Sequence, residues 1–227
     1  MRDSSEPMIP ASTATANTRN PRRSSKLLVL ILVWAGLVAG GFGFLDWYSN
    51  APGAAGDPPG HWPLDTKIQP DGKRPTLLMF IHPRCPCTQA SLEELAKILT
   101  HSKDMATVYA VFVRPSGVPV GWERDANWQR AAAIPEVKMI VDENGTEACL
   151  FGATTSGQVD LYDARGRLCF SGGITGARNH AGDNKGADAV YEWLRWGEST
   201  CNETFVFGCP LLESTLRRDH KDCRCRS

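Results

Sequence analysis

Thr76-Leu77-Leu78-Met79-Phe80-Ile81-His82-Pro83-Arg84-Cys85-Pro86-Cys87-Thr88 runs directly into Gln89-Ala90-Ser91-Leu92-Glu93-Glu94-Leu95-Ala96-Lys97-Ile98-Leu99. The first part is a short apolar run between Pro75 and Pro83, the signature of a buried central strand. From Leu92 the apolar residues Leu92, Leu95, Ala96 and Leu99 recur at helical spacing, with Glu93, Glu94 and Lys97 on the opposite face. Two thiols therefore fall at a strand-to-helix junction. With Cys85 as N-cap and Pro86 as first helical residue, where a missing N–H does no harm, the Cys85 thiol meets the positive end of the helix dipole. That position lowers a thiol pKa.

Downstream, Thr107–Val113 is a second β-rich run, ended by Arg114-Pro115-Ser116-Gly117. Two strands flanking one helix make a βαβ unit, which builds a parallel sheet through a right-handed crossover. Trp122–Ala133 reads as a helix stopped by Pro135, and Val137–Val141 as a third strand ending in Asp142-Glu143-Asn144-Gly145. Gln158–Asp163 and Arg167–Gly173 form a hairpin across Ala164-Arg165-Gly166, and Asp188–Trp196 is a last helix, preceded by the Gly-rich stretch Gly172–Gly186 that holds Arg178 and His180.

Upstream, residues 1–26 are rich in Ser, Thr, Asn, Pro and Arg without apolar periodicity and read as a disordered tail. Residues 27–45, Leu27 to Leu45, are an uninterrupted uncharged run close to the roughly 20 residues that cross a bilayer. Arg19, Arg22, Arg23 and Lys26 precede it, while Asp46 and Asp57 follow, so the positive-inside rule keeps the tail cytoplasmic and exports the rest. A cleaved signal peptide is the competing reading, with Ala51–Gly56 supplying small residues; the length of the run favours a membrane anchor. Residues 46–75 carry Pro/Gly turn chemistry and read as a tether. Residues 76–197 make up the folded domain, and 198–227 a cysteine-containing C-terminal extension.

The 227 residues include 25 Lys and Arg against 25 Asp and Glu, and outside the N-terminal tail the basic residues form no stripe, which sets nucleic-acid binding aside. Eight cysteines, at 85, 87, 149, 169, 201, 209, 223 and 225, suit an oxidising compartment, where most could pair. Cys201 and Cys209 are close in sequence and read as a local structural disulfide.

The order strand, thiol turn, helix, strand, helix, strand, hairpin, helix over about residues 70–197 resembles the thioredoxin-like superfamily, most of all its membrane-anchored extracytoplasmic reductases of the TlpA and ResA kind. The residues that carry the resemblance are Phe80–Cys87 and, later, Val141–Gly145, Phe151-Gly152-Ala153 and Leu161–Arg167. The combination of His82–Thr88, Gly172–Gly176 and Phe207-Gly208-Cys209-Pro210 is similar, more narrowly, to the bacterial proteins called RedB. The resemblance implies an α/β fold, a central mixed sheet flanked by helices behind one N-terminal transmembrane helix, and thiol–disulfide exchange with protein thiols or disulfides as partners. The chain departs from the family pattern twice. Only Pro86 separates the two cysteines, where the family has two residues, and no proline stands at Ser156-Gly157-Gln158, where the family's cis-proline would fall.

On this reading Cys85 and Cys87 are the catalytic pair, Cys85 as nucleophile and Cys87 as resolving thiol, with no cofactor or bound metal required. The small ring of a direct Cys85–Cys87 disulfide would be strained and easily reduced. The bland alternative locks one or both in disulfides with Cys149, Cys169, Cys201 or Cys209. A copper-binding or non-catalytic assembly factor is the runner-up, drawing on His82, His180, Cys223 and Cys225 as further ligands. Arg84, beside the thiols, either stabilises thiolate or is a solvated turn residue.

Overall fold

The computed structural model describes residues 21–212, with side chains from Ser25 onward. Its elements are α1 (Pro21–Asn50), β1 (Thr76–Ile81), α2 (Thr88–His101), β2 (Thr107–Arg114), α3 (Ala126–Ala132), β3 (Val137–Glu143), α4 (Thr146–Leu150), β4 (Gln158–Tyr162), β5 (Leu168–Gly173) and α5 (Lys185–Trp196). The N-terminal tail up to Asn20 and the cysteines Cys223 and Cys225 lie outside the described residues.

The chain divides into two units, Met1–Leu45 and Asp46–Ser227. In the first, the apolar run from Leu27 to Leu45 is helical, and its large side chains are exposed. Among the described residues it belongs to the one helix long and apolar enough to cross a membrane, Ser25–Asn50. The helix thus runs five residues past the apolar stretch, through Trp47 and Tyr48.

The second unit is built on β1. All six of its residues are buried, because the strand lies at the centre of a five-stranded sheet in the order β3-β2-β1-β4-β5. β1 pairs parallel with β2, and β2 parallel with β3, while β4 is antiparallel to both β1 and β5. Because side chains alternate across a strand, β1 feeds two cores. Leu77, Met79 and Ile81 join Leu92, Leu95 and Ile98 of α2 and Ala189, Val190 and Leu194 of α5 on one face. Leu78 and Phe80 meet Ala148 of α4, Phe151 and Tyr162 on the other.

Within the Pro/Gly-rich stretch that reads as a tether, several residues pack on this unit. Ile68 is buried, and Trp62 lies edge-on to Phe151 and Tyr162 at centroid distances of 5.0 and 5.1 Å. The Gly53 and Asp57 amides donate to the carbonyls of Val206 and Gly152. These apolar side chains cover the second core, which only one short helix, α4, would otherwise cap.

The C-terminal extension returns along the sheet. The Ser156 amide donates to the Cys209 carbonyl at 2.8 Å and the Leu211 amide to the Thr154 carbonyl at 3.0 Å, an antiparallel pairing with the loop before β4. Gly208 is required there, since a Cβ on it would sit 1.9 Å from the Ser156 carbonyl oxygen.

Candidate functional site: a three-thiol cluster

The residues after β1 turn before they become helical. The Cys85 amide donates to the His82 carbonyl at 3.0 Å and the Thr88 amide to the Cys85 carbonyl at 3.3 Å, so 85–88 is a tight turn and α2 starts at Thr88 with Cys87 as N-cap. The helix therefore begins later than the sequence pattern predicts, and Cys85 stands ahead of it rather than capping it. Asn127 at the start of α3 clamps the turn from outside. Its buried side-chain amide donates to the carbonyls of Pro83, at 2.8 Å, and Cys85, at 2.9 Å. Ser156 holds the other side, accepting from the His82 amide at 2.8 Å and sharing a hydrogen bond with the Thr88 hydroxyl at 2.9 Å.

The structure brings Cys85 and Cys87 together, and adds a third thiol. The sulfurs of Cys85, Cys87 and Cys209 all lie within 4.8 Å of one another. The Cys209 amide points at the Cys85 sulfur, 3.4 Å away. Cys201, expected to pair with Cys209, is not in this group; its thiol donates to the Glu203 carbonyl at 3.3 Å. Cys169 is separate too, its thiol donating to the Arg167 carbonyl at 3.4 Å.

The electrostatics divide the three thiols. Cys85 is lowered to about 4, first by the hydrogen bond from the Cys209 thiol. Burial opposes this, but the Cys209 amide, the Thr88 hydroxyl and the Cys87 amide add further donors and outweigh it. Cys87 is pushed up by burial and by the Cys85 negative charge, with Arg178 acting in the opposite sense. Cys209 is pushed up most strongly because it is donating its proton to Cys85. The surroundings thus favour negative charge on Cys85 and protons on Cys87 and Cys209.

Arg178 is the cation of this site. It donates through Nη1 to the Gly208 carbonyl at 2.6 Å and through Nε to the Ala51 carbonyl at 3.1 Å, tying the Cys209 segment down beside Cys87. Arg84 does not take that role. Its guanidinium stacks on Trp122, 4.6 Å from the ring centroid, and it is not among the leading groups acting on Cys85. His82 packs edge-on against the same ring at 5.7 Å, and burial lowers its pKa. Neither His82 nor His180 joins the sulfur cluster. As soft donors converging on one point, the three sulfurs alone could meet a thiophilic ion.

Where the family pattern has a proline, Gly157 adopts a left-handed φ of +91° and donates to the Phe80 carbonyl at 2.8 Å. A Cβ there would also lie 2.9 Å from the Ser91 hydroxyl.

No family model and no curated protein sequence matches the chain. Among solved structures, a hypothetical protein from Sinorhizobium meliloti is 23% identical with a TM-score of 0.51, covering 72% of this chain and 96% of that one. An uncharacterized conserved protein from Geobacillus kaustophilus is 15% identical with a TM-score of 0.52, covering 73% and 93%. A secreted Mycobacterium tuberculosis disulfide oxidoreductase is a looser likeness, 18% identical with a TM-score of 0.38 over 54% and 81%. A parallel βαβ unit, an antiparallel hairpin on the far side of its first strand, and helices on both faces complete the plan. The fold is thioredoxin-like.

Within this thioredoxin-like domain, sequence reading locates the turn and names Cys209 among four possible disulfide partners of its cysteines, but does not single out Asn127, Ser156, Thr88 or Arg178 as its supports. Asn127, Ser156, Thr88, Arg178 and Cys209 come from five separate places in the chain. For Cys209 one signal was available: a Gly directly before a Cys and a Pro directly after it, which is poor strand chemistry and good chemistry for a close backbone approach.

Proposed function

We propose that this protein is a membrane-anchored, extracytoplasmic thiol–disulfide oxidoreductase whose Cys85-Pro86-Cys87 turn exchanges disulfides with protein thiols. The observation that carries the reading is the Cys85 sulfur, set in a clamped turn just beyond the central strand with two further thiols within 4.8 Å. A thiolate is both the nucleophile toward a disulfide and, when its pKa is low, the better leaving group from one. A second thiol in reach then lets the site cycle between dithiol and disulfide without a bound cofactor. The neutral thiols around Cys85 solvate its charge where water is excluded, which keeps it ionised across the physiological range.

The anchor in this reading is the apolar helix, residues 27–45, with the basic N-terminal side in the cytoplasm. Its large apolar side chains stand exposed in the folded chain, as lipid contact requires. Export is also consistent with eight cysteines in one chain. The narrower likeness to RedB proteins rests on the three motifs around Cys85, Gly172 and Cys209.

Replacing Cys85 by Ser is the test. Turnover of a protein disulfide by the purified protein is expected to fall to the uncatalysed rate, and unchanged turnover would sink the reading.

A further inference from the structure

We propose that Cys209 is the redox partner of Cys85: the oxidised site carries a Cys85–Cys209 disulfide, and Cys209 is the sulfur at which that bond meets thiols from outside. The inference rests on the oxidoreductase reading and reassigns the role that sequence spacing gives to Cys87.

Three features of the site separate Cys209 from Cys87. The first is contact. Cys87 also offers its amide and thiol to the Cys85 sulfur, but the Cys209 thiol is the leading donor to it and the Cys209 amide lies 3.4 Å away. A thiol hydrogen-bonded to a thiolate already has the two sulfurs adjacent, and removing two electrons and the shared proton leaves them bonded.

The second is backbone freedom. A Cys85–Cys87 bond would close a small ring containing Pro86, whose φ is fixed. The ring could not relax, because the Cys85 carbonyl is held by the Thr88 amide and by Asn127, and Cys87 is committed to a helical φ of −67° and ψ of −24°. Cys209 lies 124 residues away on a separate segment, so its bond closes no small ring. That segment is aimed rather than loose: the 154–156 loop pairs with it, Gly208 lets it approach, and Arg178 fastens the Gly208 carbonyl.

The third is access. Cys85 is 1% and Cys87 6% exposed, whereas Cys209 is half-buried at the edge of the cluster. Of the three cysteines, Cys209 is the one that solvent touches most.

The exchange balances without a further reagent. A substrate thiolate attacks the Cys209 sulfur, the Cys85–Cys209 bond breaks, and Cys85 leaves as thiolate. A second substrate thiolate then attacks its own sulfur in the mixed disulfide and expels Cys209. The substrate dithiol has become a disulfide, the site has gained two electrons, and Cys209 takes up a proton that it again donates to Cys85. Every step reverses, so the same partner serves in either direction of electron flow.

The test oxidises the reduced full-length protein with glutathione disulfide, blocks free thiols by alkylation and maps linked peptides by mass spectrometry. Wild type is expected to give a Cys85–Cys209 cross-link, retained in Cys87→Ser and lost in Cys209→Ser. A wild-type cross-link between Cys85 and Cys87 that survives in Cys209→Ser would overturn the proposal and leave the oxidoreductase reading standing. Cys85 found wholly alkylated and unlinked in every protein would overturn both. The wild-type map decides the matter without any variant having to fold.

Discussion

Cys85 and Cys169 are both buried, 1% and 8% exposed, yet their thiols are shifted in opposite directions. Cys85 is lowered to about 4, whereas Cys169 is raised to about 11. Burial pushes both up, since it penalises the charged form. What differs is the company. Cys169 sits in β5 and its thiol donates to the Arg167 carbonyl, so its neighbourhood stabilises the proton; burial is the main cause, and the Asp163 charge adds to it. Cys85 sits in the turn after a strand, where four donors from two segments converge on the sulfur. Depth alone makes a cysteine inert; depth with aimed donors makes it a stored nucleophile.

Function gives the largest contrast. Cys169→Ser should leave protein-disulfide turnover within about twofold of wild type under conditions where Cys85→Ser has none. Equal losses in the two variants would mean that the thiols are not distinguished by their surroundings.

Stability against pH should separate them next. An unfolded thiol ionises near about 8.5. Between about pH 4 and that value the folded protein, with Cys85 ionised, binds fewer protons than the unfolded chain. The stabilisation from Cys85 is therefore fully present above about pH 8.5 and lost as pH falls through about 4. For Cys169 the sign reverses: its contribution is present below about pH 8.5 and lost as pH rises toward about 11. Melting curves of wild type against each Cys→Ser variant across this range should show the Cys85 difference widening with rising pH and the Cys169 difference shrinking at its alkaline end. Parallel curves would contradict the assignment.

Two supports of the Cys85 turn carry smaller effects. Asn127→Ala strands the buried carbonyls of Pro83 and Cys85 and should cost about 2–4 kcal/mol, read from denaturant unfolding. A loss below about 0.5 kcal/mol would show that the turn does not need its clamp. Arg178→Met removes charge-assisted bonds to the Gly208 and Ala51 carbonyls and should cost about 1–3 kcal/mol, with slower disulfide exchange. Arg178→Lys should recover only part of the loss, since one ammonium cannot reproduce the guanidinium's fork.

The same contrast explains how much could be read from the chain. β1, α2, β2, β3 and the hairpin follow from apolar periodicity and turn residues, which act over a few positions. The thiol turn was visible for the same reason, since Cys85, Pro86 and Cys87 are neighbours in sequence. The start of α2 was misplaced because Pro86 is tolerated equally in a tight turn and in a first helical turn, and the clamp from Asn127 favours the turn. At Arg84 the structure decides for the solvated turn residue, which turns outward onto Trp122, and neighbourhood in sequence misleads at Cys209, whose closeness to Cys201 implies a local bridge. The partners that fix the Cys85 charge are set by how the C-terminal segment returns to the loop before β4, and no local pattern encodes that path. The Pro/Gly-rich stretch before β1 reads as a tether for a related reason. Its composition is that of a linker, while Trp62 and Ile68 find their apolar partners only once the sheet exists.

The ionisation of Cys85 itself is the most direct test of this account. Thiolate ultraviolet absorbance of wild type minus Cys85→Ser, followed as pH is lowered, needs no reagent to reach the buried sulfur. The difference should persist through neutral and mildly acidic pH and disappear near about pH 4. A difference that appears only above about pH 8.5, where an ordinary thiol ionises, would contradict it.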